Sequence, residues 1–545
     1  MKHKPQPHAP SLFDDIVSST LVPEDHLLRR VDRAVDFSFV HDAVAHLYDG
    51  GNGRPAYNPE VLVRLIFLQL EYSLSDRGVI ARAQTDLAFR CFLGLNYDDD
   101  LPDPSSLTRF RNRLGEDGFK EIFGKILAQA KALGIVTNRR VLIDSYTVEA
   151  DIAVPGFRLL LDRIISGALE TLAGEDRVAA EVVVLTNEHQ GLEEDKSYRL
   201  GAAQRKLLLE EWLSLTARVA ELLEGLGEKR SASQNKALEL LYAALDRSAN
   251  HGRKNIKKDD ILSDVDPDAR WSRKQRGKKT VAGYREQLTV DIDSGMVTNT
   301  DVAAGNTDDS QALQSMVDGH VANVGGAPGE VVTDSKYQSG ENREYLKSQG
   351  ITDYIAAPSP KGSKQGLFCL SDFDISFDKH GEPLRVVCPQ KEVAENPKWN
   401  KGKHAWVFRF KTAQCRNCPQ RNKCMKPPSK KGKQKRKRAR QVSIDVNYKQ
   451  MQQARERQES DKGQAAQIER LDIERRFSYQ QRHGGKRTRY RGLEKNRMLG
   501  WLWGIYLNVR QLVTVIEDLF DTTEAMAGTK LHSGVVRPLP GMQCA

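Results

Sequence analysis

No stretch of this 545-residue chain approaches the ~18 consecutive apolar residues that a membrane-spanning helix requires. Its first residues, Met1-Lys2-His3-Lys4-Pro5-Gln6-Pro7-His8, lack the apolar centre of a secretory signal. The expectation is a cytoplasmic protein with no membrane partner. Cysteine is sparse too: seven residues, an odd number, do not make a secreted disulfide framework. What the chain does hold is 39% apolar and 29% charged residues, enough for several domains of about 100–200 residues each.

The formal net charge is +10, which favours a polyanionic partner only modestly, since solubility alone would explain it. Its distribution says more. Lys426 to Arg440 holds nine basic residues and no acidic one, and Arg475 to Arg497 holds nine against Glu494 alone. One such run is ordinarily a solvated loop. Two of them flanking a candidate catalytic residue fit a phosphate backbone passing nearby.

That residue is Glu474, in the helically spaced segment Ile468–Phe477. Two further carboxylates close short apolar runs: Asp144 after Val141-Leu142-Ile143, and Asp334 after Val331-Val332-Thr333. Such runs read as strands that deliver an Asp to a sheet edge. Clustered without cations, three carboxylates would repel one another. With a pair of Mg²⁺ ions they suit phosphoryl transfer, one ion activating the attacking oxygen and the other stabilising the leaving one. Among nearby acids, Glu474 shares a helix side with Arg470, Phe477 and Gln481, whereas Asp472 turns away by about 200°. Glu469 and Glu494 read as surface partners of arginine or lysine. Asp291 and Asp293 fit a mid-strand position and a turn.

Around these residues the chain resembles the DDE transposases of bacterial insertion sequences. The resemblance is carried by Tyr57-Asn58-Pro59, Pro104–Arg111, Ile143–Ala150, Asp266-Pro267-Asp268-Ala269-Arg270 and Gly283–Gln287. It continues through Val332–Tyr337, Glu474-Arg475-Arg476-Phe477 and Arg491–Lys495, all in the same order. It departs at Gln481, where related enzymes often carry lysine; Arg482 follows. The resemblance implies an α/β fold: a ribonuclease H-like mixed sheet with helical and Cys-rich insertions, preceded by an all-α N-terminal domain. It also implies Asp144, Asp334 and Glu474 as catalytic ligands of Mg²⁺ or Mn²⁺, and terminal inverted repeats and target DNA as partners. A homodimer on DNA and a nucleoid-associated place in the cytoplasm are further expectations.

Residues 1–125 read as the helical DNA-binding domain. Pro59 starts an amphipathic run, and after the Pro102-Asp103-Pro104 break Ser105 or Ser106 can cap a helix with Arg109 and Arg113 on one face. That helix is either a packing helix with exposed arginines or part of a helix-turn-helix in the major groove. The core's first part spans 138–156 and its second 261–360, with a hairpin over 287–302, a helix from 310 to 324, and strands ending at Asp334 and Ala357. Between them, 157–260 is a helical insertion. Leu208, Trp212, Leu215, Val219, Leu222 and Leu226 form a heptad seam, with Leu238, Leu241 and Leu245 on a second helix. The pair reads as a hairpin or, secondarily, as a dimer contact.

A second insertion, 361–448, is Cys-rich and basic. Cys388, Cys415, Cys418 and Cys424 could bind structural zinc, with Cys415-x-x-Cys418 as the tight half-site and His404 as a substitute, or remain plain thiols. Cys91, Cys369 and Cys544 show no partner spacing. Residues 449–520 supply the C-terminal helices, with Glu474 on one that runs on into an apolar segment at Trp501, and 521–545 a loose tail. Arg475, Arg482, Lys486, Arg487, Arg489 and Arg491 are candidates for holding the DNA backbone. The reading is a transposase that cuts and joins DNA. Its competitors are a nuclease of the same fold that does not join, and a non-catalytic DNA-binding remnant.

Overall fold

The computed structural model describes residues 16, 20–47, 57–194, 200–251, 258–272, 280–357, 366–425 and 439–527. Most of the 426–440 basic run, Cys544 and the last part of the expected tail lie outside the described residues. The chain divides into two compact units: residues 1–308, 315–326 and 472–545, and residues 309–314 and 327–471.

The first unit opens with helices α1 (Leu27–Ala34), α2 (Val40–Ala43), α3 (Pro59–Glu71), α4 (Asp76–Thr85), α5 (Leu87–Leu93) and α6 (Pro104–Ala132). Asn58 caps α3 by accepting from Glu60 N at 2.9 Å, with Pro59 in the first turn. At α6 the cap is Asp103, which accepts from Ser105 N at 2.8 Å, and not one of the expected serines. Pro104 takes the first helical position, so the cap falls on the residue before it.

Strand β1 (Arg140–Ala150) follows, then four helices: α7 (Phe157–Leu172), α8 (Ala179–Glu194), α9 (Ala202–Gly225) and α10 (Ala232–His251). They share one core containing Leu161, Ile165, Trp212, Val219 and Leu241. The expected two-helix hairpin is thus part of a four-helix insertion, because α7 has its own apolar stripe from Leu160 to Leu172. Leu222, expected in the seam, is only half-buried.

Next come β2 (Arg270–Ser272), β3 (Val281–Asp291) and β4 (Val297–Ala304). β3 runs antiparallel to β1 from Val141↔Asp291 to Glu149↔Gly283. A Cβ at Gly283 would lie 2.0 Å from the Val148 carbonyl oxygen, so only glycine permits that strand approach. β2 and β4 pair with β3, and the hairpin falls where the sequence predicts it. Asp144 differs from expectation. β1 does not end there but runs on to Ala150, because Tyr146, Val148 and Ala150 continue the buried alternation.

Helix α11 (Asp309–Val324) leads into the second unit, where β5 (Glu330–Thr333) and β6 (Thr352–Ile355) pair in parallel around α12 (Gly340–Ser348). The succession strand, insertion, hairpin, helix, strand, helix, strand is the expected one. Two small antiparallel sheets follow: β7 (Asp374–Phe377), β8 (Pro383–Val387) and β9 (Val393–Glu395), then β10 (Lys398–Asn400) and β11 (Ala405–Arg409) with β12 (Gln441–Asp445). Short helices α13 (Thr412–Arg416) and α14 (Arg421–Cys424) interrupt the second sheet, over a core of Phe373, Val386, Phe408, Phe410 and Ile444. Helices α15 (Tyr448–Glu459) and α16 (Asp461–Glu469) complete the unit.

The first unit resumes with α17 (Leu471–Gln480), β13 (Arg487–Thr488) and α18 (Leu493–Ala527). The Glu474 helix therefore does not run on to Trp501. Gln481–Gly485 forms a π turn with Gly484 at φ 95°, and β13 then pairs in parallel with β1. Arg470 and Gln481, expected on the Glu474 helix face, fall just outside α17 at its two ends. α18 packs on α6 and β4, with Trp501 buried 5.1 Å from Phe123, so the tryptophans are core as expected. Its backbone extends past residue 520, where a tail was expected.

Candidate catalytic carboxylates

In the first unit, strand periodicity puts Asp144 on the same face of β1 as Tyr146 and Val148. Helix α17 lies over that face: the Tyr146 ring packs 4.8 Å from Phe477, and its hydroxyl donates to the Gly485 carbonyl at 2.8 Å. Asp144 is half-buried and accepts from Ser145 N at 2.7 Å. The buried side of α17 is Ile473, Phe477 and Gln480. Glu474 stands one turn before Phe477, at the exposed edge of that side. Asp472 pairs with Arg475 at 3.1 Å instead.

In the second unit, β5 ends at Thr333 and Asp334 follows as expected, half-buried, its Oδ1 accepting from Lys336 N at 2.8 Å. Gln467 of α16 donates to the carbonyls of Tyr354 at 2.7 Å and Thr333 at 3.4 Å. The residue before Asp334 is thus tied to the helix that leads into α17. Among the described residues, no group of three or more His, Cys, Asp or Glu side chains is gathered so as to hold a metal ion. The carboxylates are hard oxygen donors of the kind Mg²⁺ or Mn²⁺ takes.

The four insertion cysteines are free thiols. Cys388, Cys415 and Cys424 pack against the same small core. Burial pushes the Cys424 thiol up; Arg440 pulls it back, and Cys415, Cys418 and Cys388 are all near enough to add to the rise. His404 stands edge-on to Trp399.

Arg109 and Arg113 are exposed on one side of α6, Arg109 donating to Ser105 Oγ at 2.8 Å. Arg475, Arg482, Lys486, Arg487, Arg489 and Arg491 are exposed as well, and Arg487 pairs with Asp151 at 3.1 Å. Sequence reasoning passed over Glu286 and Gln480, both buried and hydrogen-bonded to each other at 2.8 Å. The available signal was Tyr284 and Leu288, two positions away on either side of Glu286 and so on the same strand face.

Two family models match. One, Transposase domain (DUF772), covers residues 17–113, and the other, Transposase DDE domain, covers residues 387–513. The first match includes Arg109 and Arg113; the second includes Glu474 and the four clustered cysteines. No solved structure matches the chain significantly. An N-terminal and a C-terminal transposase domain in one chain support an insertion-sequence DDE transposase.

Proposed function

We propose that this transposase binds the terminal inverted repeats of its element, cuts the DNA there and joins the freed ends to a target. Asp144, Asp334 and Glu474 are the ligands of a divalent pair in this reading. The observation that carries it is the way two consecutive helices serve both aspartates. Within the second unit Gln467 of α16 ties to the end of the Asp334 strand. Within the first, α17 covers the Asp144 face of β1 and carries Glu474.

Mg²⁺ or Mn²⁺, when bound, supplies activation of the attacking oxygen and charge stabilisation of the leaving one. The chain's own part is to orient and neutralise. Backbone amides of Ser145 and Lys336 each hold one carboxylate oxygen of Asp144 and Asp334. The exposed cations from Arg475 to Arg491 attract the phosphate backbone, and Arg109 with Arg113 serve end recognition on α6. Water and then a DNA 3′-hydroxyl act as nucleophiles, so no covalent protein intermediate forms. Two protomers act together on paired ends. The four insertion cysteines would supply soft thiolate donors of the kind a structural zinc ion takes.

The test is a gel assay on terminal-repeat DNA. Wild-type protein should give cut and joined products with Mg²⁺, and Asp144→Asn should lose both while keeping DNA affinity. Cutting without joined product would favour a nuclease. Equal loss of affinity and cutting would assign Asp144 to folding.

A further inference from the structure

Between β1, which carries Asp144, and α17, which carries Glu474, lies a buried polar group without a part in the proposed chemistry. Glu286 of β3 stands opposite Tyr146 on β1 and Val302 on β4, and is 2% exposed. Gln480 closes α17 and is fully buried. Its Nε2 donates to Glu286 Oε2 at 2.8 Å. The remaining oxygens, Glu286 Oε1 and Gln480 Oε1, are both buried and have no hydrogen-bond partner. Two desolvated acceptors left unpaired on a hydrogen-bonded pair are costly, and a proton on Glu286 turns one of them into a donor. A neutral carboxylic acid can donate from Oε1 to the amide oxygen while accepting from the amide nitrogen.

The surroundings favour that neutral form. Burial raises the Glu286 carboxyl to about 7, with the Gln480 amide and the nearby Tyr146 hydroxyl pulling it back. No charged side chain contributes to that shift, and the titratable group facing Glu286 is the Tyr146 phenol, itself pushed well up, first by burial and then by Glu286. The chain also closes tightly behind Gln480: a Cβ on Gly485 would meet Gln480 Cγ at 2.4 Å.

We propose that Glu286 is a positioning residue, a neutral acid clasped to the Gln480 amide that fixes α17 on the β1–β3 pair and so sets where Glu474 stands relative to Asp144. This rests on the reading of those two carboxylates as metal ligands. At 1.5 Å per residue, Glu474 is about 9 Å along the helix from Gln480. A tilt of about 10° would move it by ~1.5 Å, more than a metal–oxygen bond tolerates.

The test compares full-length wild type, Glu286→Gln and Glu286→Met. Glutamine can keep both hydrogen bonds, one donated and one accepted, whereas methionine fills the space and keeps neither. At pH 5.5, where Glu286 is neutral, hydrogen exchange over residues 471–480 should match wild type in E286Q and be about tenfold faster in E286M. The Mn²⁺ concentration for half-maximal cleavage of terminal-repeat DNA should follow the same order, rising about tenfold in E286M with DNA affinity unchanged. Gln480→Met removes the clasp from the other side and should repeat the E286M result, which covers a misfolded E286M. Wild-type exchange in the folded methionine variants, or an E286Q as impaired as E286M, would overturn the proposal. If Asp144→Asn retains cleavage, the metal-ligand reading fails, while the exchange comparison still decides the clasp.

Discussion

Replacing Glu286 by glutamine should remove a pH dependence from the junction of β1, β3 and α17. Burial raises the carboxyl from 4.5 to about 7, so the folded state keeps a proton that the opened chain has already released. The sign follows from linkage: a raised acid contributes fully below the opened-state value and loses that contribution as pH rises through about 7. At ~1.36 kcal/mol per pKa unit, the loss is about 1.4 kcal/mol at pH 5.5 and about 3.3 kcal/mol at pH 8. The difference, about 2 kcal/mol, corresponds to roughly a 25-fold change in the local opening constant. Glutamine cannot ionise, so E286Q should lack this change. Hydrogen exchange on peptides from β3 and α17, measured for both proteins at both pH values, cancels the intrinsic pH dependence of exchange. A wild-type to E286Q ratio that stays constant between the two pH values would refute the argument, because the buried acid would then be ionised throughout or accessible to water.

Three other substitutions or measurements test separate parts. Glu474→Gln should abolish Mg²⁺-dependent cleavage while Glu469→Gln, on α16, leaves it near wild type; the reverse would assign the third ligand to the wrong helix. Freshly purified, chelator-free protein should carry about one zinc per chain if the four insertion thiols form a closed site, and elemental analysis finding none would leave them as plain thiols. Gly485→Ala should destabilise by about 1–3 kcal/mol in thermal melts, since its Cβ would sit 2.4 Å from Gln480 Cγ and 2.9 Å from the Gln480 carbonyl; an unchanged melting temperature would mean that the turn relaxes freely.

Much of the fold is legible because its signals are local. The hairpin of β3 and β4, the strand ending at Thr333 and the apolar stripe through Trp501 each follow from periodicity and turn residues within one short window. Errors arise where a neighbour decides. Asp144 reads as a strand end because the apolar run stops there, yet β3 supplies partners as far as Glu149 and carries β1 onward. The C-terminal helix reads as continuous because Gln481 and Arg482 are good helix formers. Gly484 and Gly485 instead let the chain turn so that β13 can pair with β1.

The same distinction separates the carboxylates from the group that supports them. Asp144 and Asp334 stand out in sequence because an acid closing an apolar run is conspicuous, Glu474 because it lies on a helically spaced basic segment, and family motifs surround each one. Glu286 sits in a comparable setting, Tyr284-Arg285-Glu286-Gln287-Leu288, but polar residues on both sides disguise it as a solvated stretch. In the fold Arg285, Glu286 and Gln287 are all buried, Arg285 donating to Ser145 Oγ at 3.2 Å and Ser272 Oγ at 3.1 Å. A strand can bury such a run only when each side chain finds a partner on another element. Those partners come from β1, β2 and α17, far apart in the chain, so hydropathy alone marks the run as polar while the packing makes it the inner support of the proposed catalytic edge.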